Sequence, residues 1–147
     1  MSKISIVYWS QTGNTEAMAN AIGEGIMGSQ QEYGKEAEVV EVTNVAVEDL
    51  KEANVIALGC PAMGVEELED SDMEPFVTEL EKFVDGKQIA LFGSYGWGDG
   101  QWMREWEERM VNAGATIVGG EGIICQDTPD DTVLDACKNL GKQLASI

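Results

Sequence analysis

The sequence predicts an α/β fold: a doubly wound, five-stranded parallel sheet with helices on both faces. Three observations predict it. Short β-branched runs alternate along the chain with longer segments of helical spacing, the pattern of βαβ units joined by right-handed crossovers. Two of the runs, residues 55–58 and 89–92, are apolar at nearly every position, as strands covered on both faces must be. The length of 147 residues, with 44% hydrophobic and 24% charged, suits one globular domain, 1–147, whose core needs no staples.

The elements follow in order. Strands are expected at residues 4–9, 37–42, 55–59, 89–92 and, split by glycines, 116–118 with 123–125. After Gly13, the stripe Ala17, Met18, Ala21, Ile22 and Ile26 makes the first helix, and residues 45–53 make a shorter one. Pro75 stands just inside the start of a helix carrying Val77, Leu80, Phe83 and Val84. Trp102, Trp106, Met110 and Ala113 form the next stripe. Val133, Ala136, Cys137, Leu140 and Leu144 form the last, opened by Asp130 or Asp131. In such folds ligands bind beyond the carboxyl ends of the strands, so the segments after Trp9, Gly59, Phe92 and Cys125 carry the chemistry.

Charge and residue usage exclude much. Nine Lys and Arg against 27 Asp and Glu give a net charge of −18. Such a surface repels nucleic acid and anionic membrane and attracts basic protein surfaces. Histidine is absent, which removes Ser-His-Asp and Cys-His couples and His-ligated metals. Cys60, Cys125 and Cys137 are scattered, without a CxxC pair, and suit reduced thiols in a cytoplasmic protein. The N-terminal segment runs directly into a strand, and no apolar run of 18 residues is present, so neither export nor a membrane span is expected.

Three segments at strand ends stand out. The first is Ser10-Gln11-Thr12-Gly13-Asn14-Thr15, rich in hydroxyls and free of Lys and Arg, at a helix N-terminus. Main-chain N–H groups and the helix dipole bind a phosphate there without a basic side chain, although the same residues also suit a plain capping turn. It is neither a Walker A loop nor GxGxxG. The second is Pro61-Ala62-Met63-Gly64-Val65-Glu66, a polarizable Met beside a glycine. Taken alone it reads as a tight turn with a buried Met. The third is Ser94-Tyr95-Gly96-Trp97-Gly98-Asp99, where glycines leave an indole bare to present a flat face. Trp102 and Trp106 sit at i and i+4 and belong to the core, whereas Trp9 is assigned to neither role.

Together these loops resemble the flavodoxins, most closely the short-chain forms of anaerobic bacteria, over the whole chain. The resemblance implies strand order 2-1-3-4-5 and FMN held non-covalently, with its phosphate on Ser10, Thr12, Gly13, Asn14 and Thr15. It places the ring between Met63 and Trp97, with Glu66 on its N3–H and Gly96, Trp97 and Asp99 along its pyrimidine edge. Ser94 is expected to face the ribityl chain, and Gln11, Pro61, Ala62, Gly64, Val65, Tyr95 and Gly98 complete the site. One position departs: Val65 stands where related proteins often carry a small or acidic residue, and a β-branched side chain stiffens that turn.

The implied function is a low-potential one-electron carrier, a monomer that shuttles between oxidised, semiquinone and hydroquinone states among basic-surfaced redox partners. Residues 66–74 hold six carboxylates and no base. At about 10 Å and an effective dielectric of about 40, each opposes an added negative charge by about 0.8 kcal/mol. With 59 mV per 1.4 kcal/mol for one electron, a few of them lower a potential by on the order of 100 mV. A quinone or nitro reductase on the same fold is the alternative, but no segment is left over to build a nicotinamide and substrate pocket. A signalling receiver domain fails, since Trp9-Ser10, Gly59-Cys60 and Gln126-Asp127 stand where it needs an acidic pair, an Asp and a Lys.

Overall fold

The structure is a computed structural model that describes residues 2–147. Among these, one parallel sheet contains β1 (Ser2–Tyr8), β2 (Lys35–Glu41), β3 (Val55–Gly59), β4 (Gln88–Tyr95), β5 (Thr116–Ile117) and β6 (Ile123–Gln126). The order is β2-β1-β3-β4, with β5 and β6 sharing the fifth position. β5 pairs with Gln88 and Ile89 at the start of β4, and β6 pairs with Phe92 to Tyr95 at its end. This is the expected order. Gly119 and Gly120, both at positive φ, make the break between the two halves.

Alternation along the strands divides the core. Ile4, Ile6, Tyr8, Ala57, Ala90 and Phe92 face α1 (Asn14–Gly28) and α5 (Asp131–Ala145). Val7, Ile56, Leu58, Ile89 and Leu91 face α3 (Met73–Leu80) and α4 (Gln101–Asn112). In both layers the interior is apolar, with Met18, Ile22, Val77, Leu80 and Met110 fully buried. Each such side chain contributes roughly 1.5–3 kcal/mol, so packing on the sheet outweighs helix propensity in holding the scaffold. α1 and α5 approach closely because Gly25 lacks a side chain; a Cβ there would lie 2.0 Å from the Lys138 carbonyl oxygen. The Asp130 carboxylate caps α5 by accepting from the Val133 N–H at 2.9 Å.

Several expectations need correction. Residues 45–53 are not an α-helix: two single 3₁₀ turns, Val42–Asn44 and Val47–Leu50, occupy the crossover. Ala46 is extended and its N–H donates to the Asp49 carboxylate, so a local side-chain bond competes with the helical ladder. A one-turn α2 (Gln30–Tyr33), closed by Gly34 at φ +69°, was not expected. Trp9 lies beyond the end of β1, half-buried against the α3/α4 layer. Ala136 points to solvent, because its neighbours Cys137 and Leu140 already fill the buried stripe. Ser94 and Tyr95 belong to β4 rather than to the loop after it. β6 extends the ladder there, pairing Ser94 with Cys125 and Tyr95 with Gln126.

Candidate functional site

The phosphate-loop candidate is built on the turn between β1 and α1. Gly13, at φ +93°, takes a left-handed conformation that no β-carbon would favour and starts the helix at Asn14. The Ser10 hydroxyl accepts from the N–H groups of Gly13 at 3.2 Å and Glu16 at 3.3 Å. Ser10 therefore does perform the capping duty. The N–H groups of Asn14 and Thr15 have no acceptor among the described residues, as the first turn of a helix dictates. No Lys or Arg occurs between Lys3 and Lys35. Thr15 is buried, its hydroxyl 3.1 Å from that of Ser94, and this pair locks the start of α1 to β4.

The second loop leaves β3 through Cys60, whose carbonyl accepts from the Trp102 indole N–H at 3.1 Å. Burial pushes the Cys60 thiol up to about 12, so it carries no thiolate at neutral pH. Met63 and Glu67 then exchange two main-chain hydrogen bonds of 2.8 Å, closing a small hairpin. Gly64 and Glu66 both stand at φ +52°, with Val65 between them at the tip, 75% exposed. Glu69 anchors the far end. Its carboxylate accepts from the N–H groups of Ser71, Asp72 and Met73 at 2.7–2.9 Å, and its own N–H donates to Cys60 Sγ. Burial alone would raise the Glu69 pKa, but the bonds from Met73, Asp72 and Ser71 outweigh it and hold the carboxyl below its usual range.

The third loop follows β4. Tyr95 packs its ring against Trp102 at 5.6 Å. Trp97 stands outside the core, 63% exposed, and Asp99 is paired with Arg104 at 3.0 Å. The Glu66 carboxylate reaches across from the hairpin and accepts from the Gln101 N–H at 2.9 Å.

One cleft of about 170 Å³ gathers Gln11, Thr12, Asn14, Pro61, Ala62, Met63, Ser94, Tyr95 and Gly96, from all three segments. Ser10, Gly13 and Thr15 belong to the same β1–α1 turn but are not on its wall. Gly64, Val65, Glu66, Trp97, Gly98 and Asp99 are not on its wall. Asp127, which sequence reasoning did not select, lines it as well. The signal that could have found it is its place directly after the last strand. A larger depression of about 500 Å³ beside α4 lies away from the strand ends, and its Arg109 is already engaged by Glu74 and Glu81.

The flavodoxin family profile matches residues 6–139. The chain belongs to the flavodoxin family. It is 46% identical to a flavodoxin of Clostridium beijerinckii, covering 98% of this chain and 100% of that one. It is 47% identical to a flavodoxin of Megasphaera elsdenii, covering 97% and 98%. The solution structure of two-electron reduced Megasphaera elsdenii flavodoxin superposes with a TM-score of 0.87 over 98% of this chain and 99% of that one. As a flavodoxin, the protein is an FMN-binding electron carrier. Its cleft fits the cofactor: free helix N-terminal donors and hydroxyls without a cation suit a phosphate monoester, and a neighbouring apolar wall suits a ring.

Proposed function

We infer that FMN occupies the strand-end cleft, and that the protein hands single electrons between partner proteins at low potential without being an enzyme itself. FMN supplies the one-electron chemistry when bound. The chain's part is to bind, orient and bias it. In this reading the N–H groups of Asn14 and Thr15 and the hydroxyls of Ser10 and Thr12 hold the phosphate. Met63 and Trp97 hold the ring, Glu66 meets its N3–H, and Gly96, Trp97 and Asp99 follow its edge. The observation that carries this reading is the cleft itself, which joins a cation-free donor turn to Met63 and Tyr95.

The charge pattern supports the rest. Of the six carboxylates in residues 66–74, only Glu74 has an ion pair among the described residues. The unpaired ones oppose any added negative charge at the site and attract a basic partner surface, favouring a fast, salt-sensitive and transient encounter. Cys60, Cys125 and Cys137 are free and buried, and no helix among the described residues is long and apolar enough to cross a membrane. Reduced, unpaired thiols fit work in the cytoplasm. No observation favours the reductase alternative.

The test is direct. The purified protein is expected to be yellow and to release one FMN per chain on acid extraction. With NAD(P)H and quinone alone it is expected to turn over negligibly, while accepting electrons through a separate reductase. Release of FAD or no flavin, or turnover at roughly 1–1000 per second without a reductase, would overturn the reading.

A further inference from the structure

We propose that the groove between α3 and α4 is where the basic redox partner docks, through a Lys- or Arg-bearing segment of that protein. The cations of the segment lie among Glu67, Glu105 and Glu108, and one of its main-chain carbonyls accepts from the Trp106 indole N–H. The proposal deepens the electron-carrier reading above and rests on it. Two depressions make up the groove. One, of about 200 Å³, is lined by Leu68, Trp102 and Trp106 together with Glu66, Glu67 and Glu105. It begins beside the Met63–Glu67 hairpin, and therefore next to the ring-side loops. The other, of about 500 Å³, continues along α4 past Glu108 to Ala113. Both are lined by Glu105 and Arg109, where they meet. Arg109 is the one cation on these walls, and Glu74 and Glu81 already engage it. The exposed carboxylates of Glu67 and Glu108 have no partner among the described residues, and Glu105 holds only the uncharged Gln101 amide at 3.3 Å.

Acidity alone attracts any cation; Trp106 gives the groove a specific demand. Trp102 and Trp106 stand one turn apart on α4 in the same buried layer. The Trp102 indole N–H donates to the Cys60 carbonyl at 3.1 Å. The Trp106 indole N–H is buried and meets no acceptor among the described residues, in a side chain that lines the smaller depression. A buried donor left unpaired is a standing cost, and a phenyl ring would fill the layer without it. The N–H therefore calls for an acceptor from outside the chain. An occupant must bring that acceptor and also bring cations to the carboxylates. An anion brings the first and is repelled by the rest. A bare ammonium brings the second and has no acceptor. A second copy of this chain, at a net charge of −18, is repelled. A peptide segment with Lys or Arg meets both demands, since every residue carries a main-chain carbonyl beside its side chain.

The probe is a short end-blocked peptide of alternating lysine and alanine, with a glutamate–alanine peptide as control, titrated into the isotope-labelled flavin-loaded protein and followed by NMR. The indole N–H signals of the 4 Trp residues are resolved, and Trp106→Phe identifies that of Trp106. The Trp106 indole signal is expected to move downfield and to exchange more slowly with water, with main-chain shifts concentrated in α3, α4 and Glu66 to Leu68. Glu67→Gln combined with Glu105→Gln is expected to weaken the lysine peptide about fivefold. Trp106→Phe is expected to weaken it about threefold, with circular dichroism checking the fold of each variant. An unmoved Trp106 indole signal, shifts centred elsewhere on the acidic surface, unaltered affinity in either variant, or equal binding of the glutamate peptide would each overturn the docking site. Acid extraction of the same samples reports on the flavin separately: protein that releases no FMN would overturn the carrier reading, whatever the peptide does.

Discussion

The Glu66 carboxylate accepts a hydrogen bond from the main-chain N–H of Gln101 at 2.9 Å, tying the tip of the Met63–Glu67 hairpin to the first turn of α4. The bond joins the two loops assigned to the ring, and it satisfies one of the free donors at a helix N-terminus. It depends on a glycine. A β-carbon on Gly98 would lie 2.7 Å from Glu66 Cδ, and Gly98 itself stands at φ +91°.

Gly98→Ala is therefore expected to displace Glu66 and to speed hydrogen exchange at the Gln101 amide. The positive φ adds about 1–2 kcal/mol of instability. Because both substitutions break one bond, the Gly98→Ala and Glu66→Ala losses in FMN affinity are expected to be less than additive in a double-mutant cycle. Full additivity would show that the two residues act separately.

At Gly64, the left-handed φ of +52° is combined with open space, since nothing lies within 4 Å of the position a β-carbon would take. A side chain there costs conformational energy rather than a clash, about 1 kcal/mol for alanine and more for a β-branched residue. By the one-electron conversion, about 1 kcal/mol corresponds to about 40 mV. If the Gly64–Val65 peptide turns between redox states, Gly64→Ala lowers the first one-electron potential by tens of millivolts and the second by less. Gly64→Thr lowers the first further, and Val65→Gly raises it by loosening the tip. Stepwise reduction with both potentials measured decides the matter; identical first potentials in Gly64→Ala and Gly64→Thr would place the redox-linked turn elsewhere.

Trp97, at 63% exposure, contributes little to the fold. Trp97→Ala is expected to change stability by within about 0.5 kcal/mol while weakening FMN binding and raising flavin fluorescence, because a stacked indole supplies both contact area and quenching. Thermal melts of the flavin-free protein and a fluorescence titration give the two numbers. Unaltered affinity would remove Trp97 from the site.

Glu69 links the site to pH. Burial opposes its ionisation, yet the N–H bonds from Met73, Asp72 and Ser71 hold its pKa below the usual value. A carboxyl depressed in the folded state contributes stability that is present above its unfolded pKa and is lost as pH falls through the folded one. The wild-type protein is thus expected to lose stability on acidification below roughly pH 4. Glu69→Gln is expected to be less stable by about 1–3 kcal/mol at neutral pH and to show a shallower acid limb. Urea unfolding across pH tests this, and parallel curves for the two proteins would discount the three bonds.

The sequence by itself determined the sheet, its two apolar layers and the three loops at its carboxyl end. Periodicity carries that information directly: Ile4, Ile6 and Tyr8 alternate with Val7, and the helical stripes recur every three to four residues. Composition likewise determined the acidic surface and the absence of imidazole chemistry. The tertiary structure alone decided the rest. Residues 45–53 obey a side-chain bond between Asp49 and Ala46 rather than their apolar spacing. Ser94 and Tyr95 extend β4 because β6 pairs with them. Glu66 meets Gln101, Thr15 meets Ser94, and Asp127 meets Tyr95 across separations that no local pattern encodes. Local spacing fixes which face of an element is buried; which side chains meet across the sheet ends is fixed by strand register and crossover geometry, and these exist only once the chain has folded.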